Sequence, residues 1–196
     1  ETKIMKIESK KGTLYLGTLV AYDGNGIKIK DKEALYSFPL VERAAEQLKK
    51  CHLKEGMFIS LFVVDGAVEN FKFNGRYSLV VERKKKDTDE IYTTRINVFI
   101  GVAASITKRE KCVSVSMPVK TKDNTDWYSL TFFYGSDEEH PVDLGEKAEL
   151  ELTAVEGEHK VCFWALTGAP RKYKDKNGND RESFTVRNFS TFEYVR

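Results

Sequence analysis

The sequence predicts a mainly β fold, built as two small five-stranded β-barrels in tandem with one short helix. Three observations lead there. Apolar, β-branched and aromatic runs of strand length recur along the chain, closed by turns such as Asp23-Gly24-Asn25-Gly26 and Asn74-Gly75. Only one window has a helical pattern. The two halves also share a loose order of strand, hairpin, connector, Gly-led strand, acidic-Gly turn and hairpin, as two copies of one barrel would.

The elements follow in order. Leu14-Tyr15-Leu16-Gly17-Thr18-Leu19-Val20 reads as a strand, and after the turn at 23–26 Ile27-Lys28-Ile29-Lys30 alternates strictly. Residues 39–51 form the helical window, with Ala44, Ala45 and Leu48 among charges and Pro39 near the first turn. Residues 57–64 predict a strand closed by Asp65-Gly66, and residues 71–73 and 77–81 a hairpin about Asn74-Gly75. The run Arg83-Lys84-Lys85-Lys86-Asp87-Thr88-Asp89-Glu90 holds no apolar residue. It is read as a linker or a long exposed hairpin loop at the domain boundary, dividing a barrel at 1–82 from one at 91–196.

In the second half, Asn97-Val98-Phe99-Ile100-Gly101 parallels Leu14-Tyr15-Leu16-Gly17. Leu144-Gly145-Glu146, before an expected alternating strand, parallels Lys54-Glu55-Gly56, and Ala154-Val155-Glu156-Gly157 parallels Val63-Val64-Asp65-Gly66.

Composition narrows the class. With 41% hydrophobic and 32% charged residues in 196, the chain can bury a core and is not a disordered polyelectrolyte. No run approaches the ~20 apolar residues of a membrane-spanning helix, and no charged-then-apolar leader opens the sequence. Cys51, Cys112 and Cys162 are scattered and unpaired in sequence, which argues against a disulfide framework or zinc site and for a cytoplasmic protein. The net charge of +2 is unevenly spread. Residues 91–170 carry 8 Lys and Arg against 12 Asp and Glu, whereas residues 171–196 carry 7 against 4. A basic segment ends an otherwise acidic half.

Two stretches of that half carry a resemblance. Asp126-Trp127-Tyr128-Ser129-Leu130-Thr131-Phe132-Phe133-Tyr134-Gly135 is an acidic-Trp entry into a strand ending in aromatics and Gly. Arg171-Lys172-Tyr173-Lys174-Asp175-Lys176-Asn177-Gly178-Asn179-Asp180-Arg181 is a basic-aromatic arm with an Asp-x-x-Gly tip, followed by a polar returning strand. With Ile96-Asn97-Val98-Phe99-Ile100-Gly101 as a first strand, they resemble the bacterial and phage-type single-stranded DNA-binding proteins over about residues 95–196. The resemblance implies OB-like barrels, and base-stacking roles for Trp127, Tyr173 and one of Phe133 or Tyr134. It also implies a phosphate path along Arg171, Lys172, Lys174 and Lys176. The family's acidic tail with a terminal aromatic is missing, and the loop at 118–125 is short and lacks an aromatic.

The residue types suit that role independently. A single strand exposes base faces and an anionic backbone, so aromatics interleaved with cations bind it without reading sequence. Alternation places Arg171 and Tyr173 on one face of the arm and Lys172 and Lys174 on the other.

Trp127 can be a core residue, and Trp164, inside Val161-Cys162-Phe163-Trp164-Ala165-Leu166, is expected to be one. Asp175-x-Asn177-Gly178-x-Asp180 is read as a hairpin turn, not a calcium loop. Asp137-Glu138-Glu139-His140 is read as an exposed acidic loop. His52, His140 and His159 stand apart and no catalytic motif occurs, so no enzyme, metal or cofactor is expected. The leading expectation is sequence-independent binding of single-stranded DNA, in replication or recombination. Single-stranded RNA is a variant partner, Arg83 to Lys86 are a further phosphate contact, and no membrane partner is expected. A homo-oligomer through barrel edges is compatible with the sequence. The alternative is an OB-fold protein-interaction module that binds no nucleic acid.

Overall fold

The structure, a computed structural model, describes residues 6–152 and 161–193. These residues are mainly β, and among them are two sheets of six and eight strands and two helices where one was expected. The ladders among the described residues form open paths of six and eight strands and do not close into a barrel. The chain divides into two compact units. Of the described residues, one comprises 6–73 and 79–94, and the other 74–78, 95–152 and 161–193.

In the first unit, β1 (Lys6–Glu8) pairs with β2 (Thr13–Tyr22), which carries on to β3 (Gly26–Lys30) and β4 (Leu35–Pro39). The expected turn between β2 and β3 forms. The Asp23 carboxylate accepts the amides of Asn25 and Gly26 at 3.0 and 2.8 Å, and Gly24 takes a φ of 90°. Gly17 lets β2 approach β3 closely, since a Cβ there would lie 2.6 Å from the Lys30 carbonyl oxygen.

Helix α1 (Glu42–Leu48) buries Ala44 and Leu48 and leads to β5 (Phe58–Val64), which pairs with both β2 and β6 (Ala67–Lys72). The sheet order is β4-β3-β2-β5-β6, and a parallel bridge from Leu40 to Val68 brings the end of β4 to β6. Leu19, Ile27, Ile29, Ile59, Leu61 and Val68 form the core. They are the alternating inward positions of β2, β3, β5 and β6.

The expected hairpin about Asn74-Gly75 does not form: β6 and β7 (Gly75–Lys84) belong to different sheets. The Asn74 amide instead donates to the carbonyl of Pro118 at 3.3 Å, so a long-range contact displaces the local turn. The charged run at 83–90 adopts the hairpin of its two readings. It finishes β7 and turns into β8 (Ile91–Val102), closed by a bond from the Lys85 amide to the Glu90 carbonyl at 2.9 Å.

The second unit continues from β8 through β9 (Ser105–Lys108), β10 (Cys112–Lys120) and β11 (Thr125–Phe133) to helix α2 (Leu144–Leu152). Then come β12 (Val161–Thr167), β13 (Arg171–Lys174) and β14 (Asp180–Glu193). The order is β8-β12-β14-β11-β10-β9, with β11 and β14 parallel and β13 beside β14. The chain changes partners after β8: β8 pairs with β12, the Ala104 amide reaches the Ser116 carbonyl at 2.9 Å, and β9 pairs with β10.

Phe99, Val115, Leu130, Phe132, Phe163 and Phe184 lie in the core of this unit, and Trp164 is also buried. Residues 144–152 are helical, not the Gly-led alternating strand expected. Asp143 caps the helix by accepting the Glu146 amide at 2.9 Å, and Gly145, Ala148 and Leu152 recur at helical spacing on its buried side. The turn expected at 154–157 lies outside the described residues.

Candidate nucleic-acid interface

Alternation along β10 and β11 separates a core face from an outer face. Val113, Val115 and Met117 of β10, with Leu130 and Phe132 of β11, are buried. The register then sets Cys112 against Phe133, Ser114 against Thr131, Ser116 against Ser129 and Pro118 against Trp127 on the other side. The outer face is therefore a strip of small hydroxyl side chains with an aromatic at each end. Trp127 is 63% exposed and Phe133 is 45% exposed, which removes the core reading of Trp127. They stand six residues apart on β11, about 20 Å along the strand.

The arm joins this face through β14. Ser183 lies opposite Arg171 on β13, and its hydroxyl meets that of Thr131 at 2.7 Å. Directly paired residues share a face, so Arg171, Tyr173 and Arg181 point to the same side as Thr131. Lys172 pairs with Glu182 and Lys174 with Asp180 on the reverse side, the latter as an ion pair at 3.8 Å. The alternation expected for the arm holds. It turns Arg171 and Tyr173, but not the two lysines, toward the outer face.

Lys176 lies in the exposed turn at 175–179. This turn is a hairpin tip, ordered by the Asp175 carboxylate, which accepts the amides of Asn177 and Asn179 at 2.9 Å each. Those bonds, the one from Asn179 foremost, hold the Asp175 carboxyl below the usual carboxylate range.

A groove of about 470 Å³ runs over the strip. Thr107, Ser114, Ser116 and Ser129 line it together with Trp127 and Tyr128 of β11, Tyr173 and Arg181 of the arm, and Arg109; Asp180 and Glu182 also line it and bring two carboxylates to its edge. Phe133 shares the face but lies outside the groove. Tyr134, the other candidate for that stacking position, is past the end of β11, and its hydroxyl donates to Glu149 at 2.9 Å. Glu149 also takes Lys108 at 2.6 Å, and these two bonds, Lys108 first, lower its carboxyl. Tyr134 thus ties α2 to the sheet, which leaves Phe133 as the exposed ring.

Sequence reading omitted Arg109, Arg181 and the row of hydroxyls. Arg181 was legible: Phe184 and Val186 are core-type positions, so the odd residues of the returning strand had to face outward. Arg109 reaches the groove from the turn between β9 and β10, a placement no local pattern signals.

Among the described residues no group of three or more His, Cys, Asp or Glu is arranged to hold a metal ion. No helix among them is long and apolar enough to cross a membrane. No family profile and no curated protein matches the sequence. Among solved structures, a crystal structure of Rim1, a mitochondrial single-stranded DNA-binding protein from S. cerevisiae, is similar over 52% of this chain and 98% of its own. The identity is 15% and the TM-score 0.33.

Proposed function

We propose that this protein binds single-stranded DNA along the outer face of β10 and β11, by stacking bases on Trp127, Tyr173 and Phe133. Arg109 at the groove and Arg171 on the arm supply the phosphate contacts, Arg181 adds its charge at the groove, and Lys172, Lys174 and Lys176 surround the arm with positive charge at longer range. The observation that carries this reading is the groove itself. Two exposed aromatics, Trp127 and Tyr173, line it with a row of uncharged hydroxyls, and Arg109 and Arg181 stand beside the carboxylates of Asp180 and Glu182 at its edge. Flexible single strands suit such a surface, because every base has a π-face to stack and every linkage a charge to neutralise.

The same reading treats each unit as a variant of one OB-type plan. In the second unit, β8 with β9 acts as a single first strand, followed by β10 and β11, the helix α2, then β12 and β14, with the parallel contact between third and fifth strands. In the first unit β2, β3, β4, α1, β5 and β6 occur in the same order, with the Leu40–Val68 bridge in the place of that parallel contact. The exposed positions of β3 and β4 that correspond to the groove carry Lys28, Lys30, Leu35 and Ser37 and no aromatic, so the stacking site belongs to the second unit.

One observation favours the second reading, a peptide-binding module. Asp180 and Glu182 oppose the lysines of the arm and offset their charge. Titrating labelled oligo-dT, its ribose counterpart and a matched duplex at about 50 and 200 mM salt separates the readings. Salt-sensitive binding confined to single strands is expected. No binding to any strand at the lower salt refutes the nucleic-acid reading and leaves the peptide module.

A further inference from the structure

The groove is not indifferent to base identity: we infer that Arg181, oriented by Asp175, reads the edge of a guanine stacked on Tyr173. This rests on the single-strand reading above and adds a local preference to it.

Asp175 is placed to orient a side chain. One of its oxygens spans the two turn amides, and the other accepts Arg181 Nε at 3.0 Å. The guanidinium is therefore anchored at Nε. Among the described residues no hydrogen bond occupies its two terminal nitrogens. These form a planar pair of donors on a side chain that is 58% exposed at the groove.

Tyr173 lies directly across the ladder from Arg181, so their Cβ atoms are about 5 Å apart on one face. A base resting on the Tyr173 ring then has its edge beside the guanidinium. Two adjacent donors match two adjacent acceptors: guanine presents O6 and N7 side by side, an unpaired cytosine presents N3 and O2, and thymine and adenine present no such pair, so the guanine preference is read against thymine. A phosphate also accepts such a pair but gives no preference among bases, which is the distinction the test uses.

The whole protein is titrated by anisotropy with a thymine strand and with the same strand carrying isolated guanines, spaced so that the strand does not fold on itself. The wild type is expected to bind the guanine-bearing strand roughly tenfold tighter, toward the low end of what a bidentate arginine–guanine contact supplies because the site is exposed. Arg181→Lys keeps the charge but loses the fork, so the ratio falls to about one while the salt slope is unchanged. Asp175→Asn keeps Arg181 but releases it, and the ratio falls again. Any general loosening of the hairpin would weaken both strands together and leave the ratio alone. Equal wild-type affinity for the two strands, or a ratio that survives Arg181→Lys, overturns the inference. Failure of the wild type to bind either strand refutes instead the reading on which it rests.

Discussion

Trp127→Ala is the perturbation that bears most directly on the groove. A little over a third of this residue is covered, since it is 63% exposed. Taking about 200 Å² for a tryptophan, truncation uncovers roughly 75 Å² and costs the fold at most about 2 kcal/mol. The loss in binding is of another kind. One base stacked on an aromatic is worth about 1–3 kcal/mol, so affinity for oligo-dT is expected to fall by roughly 5- to 150-fold.

The protein has two tryptophans, and Trp164 is only 4% exposed, so fluorescence quenching during titration reports on Trp127. Trp127→Phe should abolish the quench while retaining much of the affinity, whereas Trp164→Phe, if folded, should preserve it. A thermal melt controls for the small stability term. A folded Trp127→Ala protein with wild-type affinity, or a quench that persists in Trp127→Phe, would refute the stacking role.

Three further outcomes follow from the geometry. Gly145→Ala places a Cβ 2.8 Å from the Tyr134 backbone nitrogen and 3.0 Å from the Phe132 carbonyl oxygen, neither of which can yield cheaply. It should destabilise the second unit by about 1–3 kcal/mol in urea melts, and an unchanged midpoint would contradict the close packing of α2. Cys112 lies opposite Phe133 on the outer face and is half-buried, whereas burial pushes the Cys162 thiol up to about 11. Mass-resolved alkylation near pH 8 should therefore modify Cys112 first, and oligo-dT should slow that reaction; Cys162 reacting first would count against the placement.

The third concerns acid. Asp143, Asp175 and Glu149 are all held below their ordinary values, Asp143 chiefly by the Glu146 amide, Asp175 by the Asn179 amide and Glu149 by Lys108. Groups depressed in the folded state contribute stability that is complete above their unfolded values, about 4, and is lost as pH falls through the folded ones. Urea midpoints should be flat above pH 5 and decline below about 4. The decline should be smaller in Asp143→Asn, and an equal decline there would show that the cap carries none of it.

The parts of this fold that were legible are those set by short-range pattern. The alternation of residues 27–30 and the Asp23 turn specify the β2–β3 hairpin, and the arm with its Asp175 tip forms where its charges and Gly178 placed it. Where a residue has competing partners, local reading fails. Asn74-Gly75 is a strong hairpin signal, yet its side chain is spent on Pro118. Helix α2 was missed because Leu144-Gly145-Glu146 was matched to a strand in the first half, although Asp143 and Glu146 have the spacing of a capping box. Arg76 lies before the expected domain boundary yet sits 5.4 Å from the ring centre of Tyr128 in the second unit. No pattern within a window shows such a contact. At the site the aromatics were legible as types, but the choice between Phe133 and Tyr134 depended on Glu149 being near.

The parallel pairing of β11 with β14 has a consequence for the life of the molecule before it is complete. One flank of the groove is made by residue 127 and the other by residues 173 and 181, and the contact joining them, Thr131 to Ser183, spans 52 residues of chain. A growing polypeptide can therefore finish every strand as far as β12 and still have only half a groove. It gains the other half when the β13–β14 ribbon docks, a long-range closure of the kind that forms late in folding. During synthesis, chains that have not reached that point should lack the complete groove and whatever it binds.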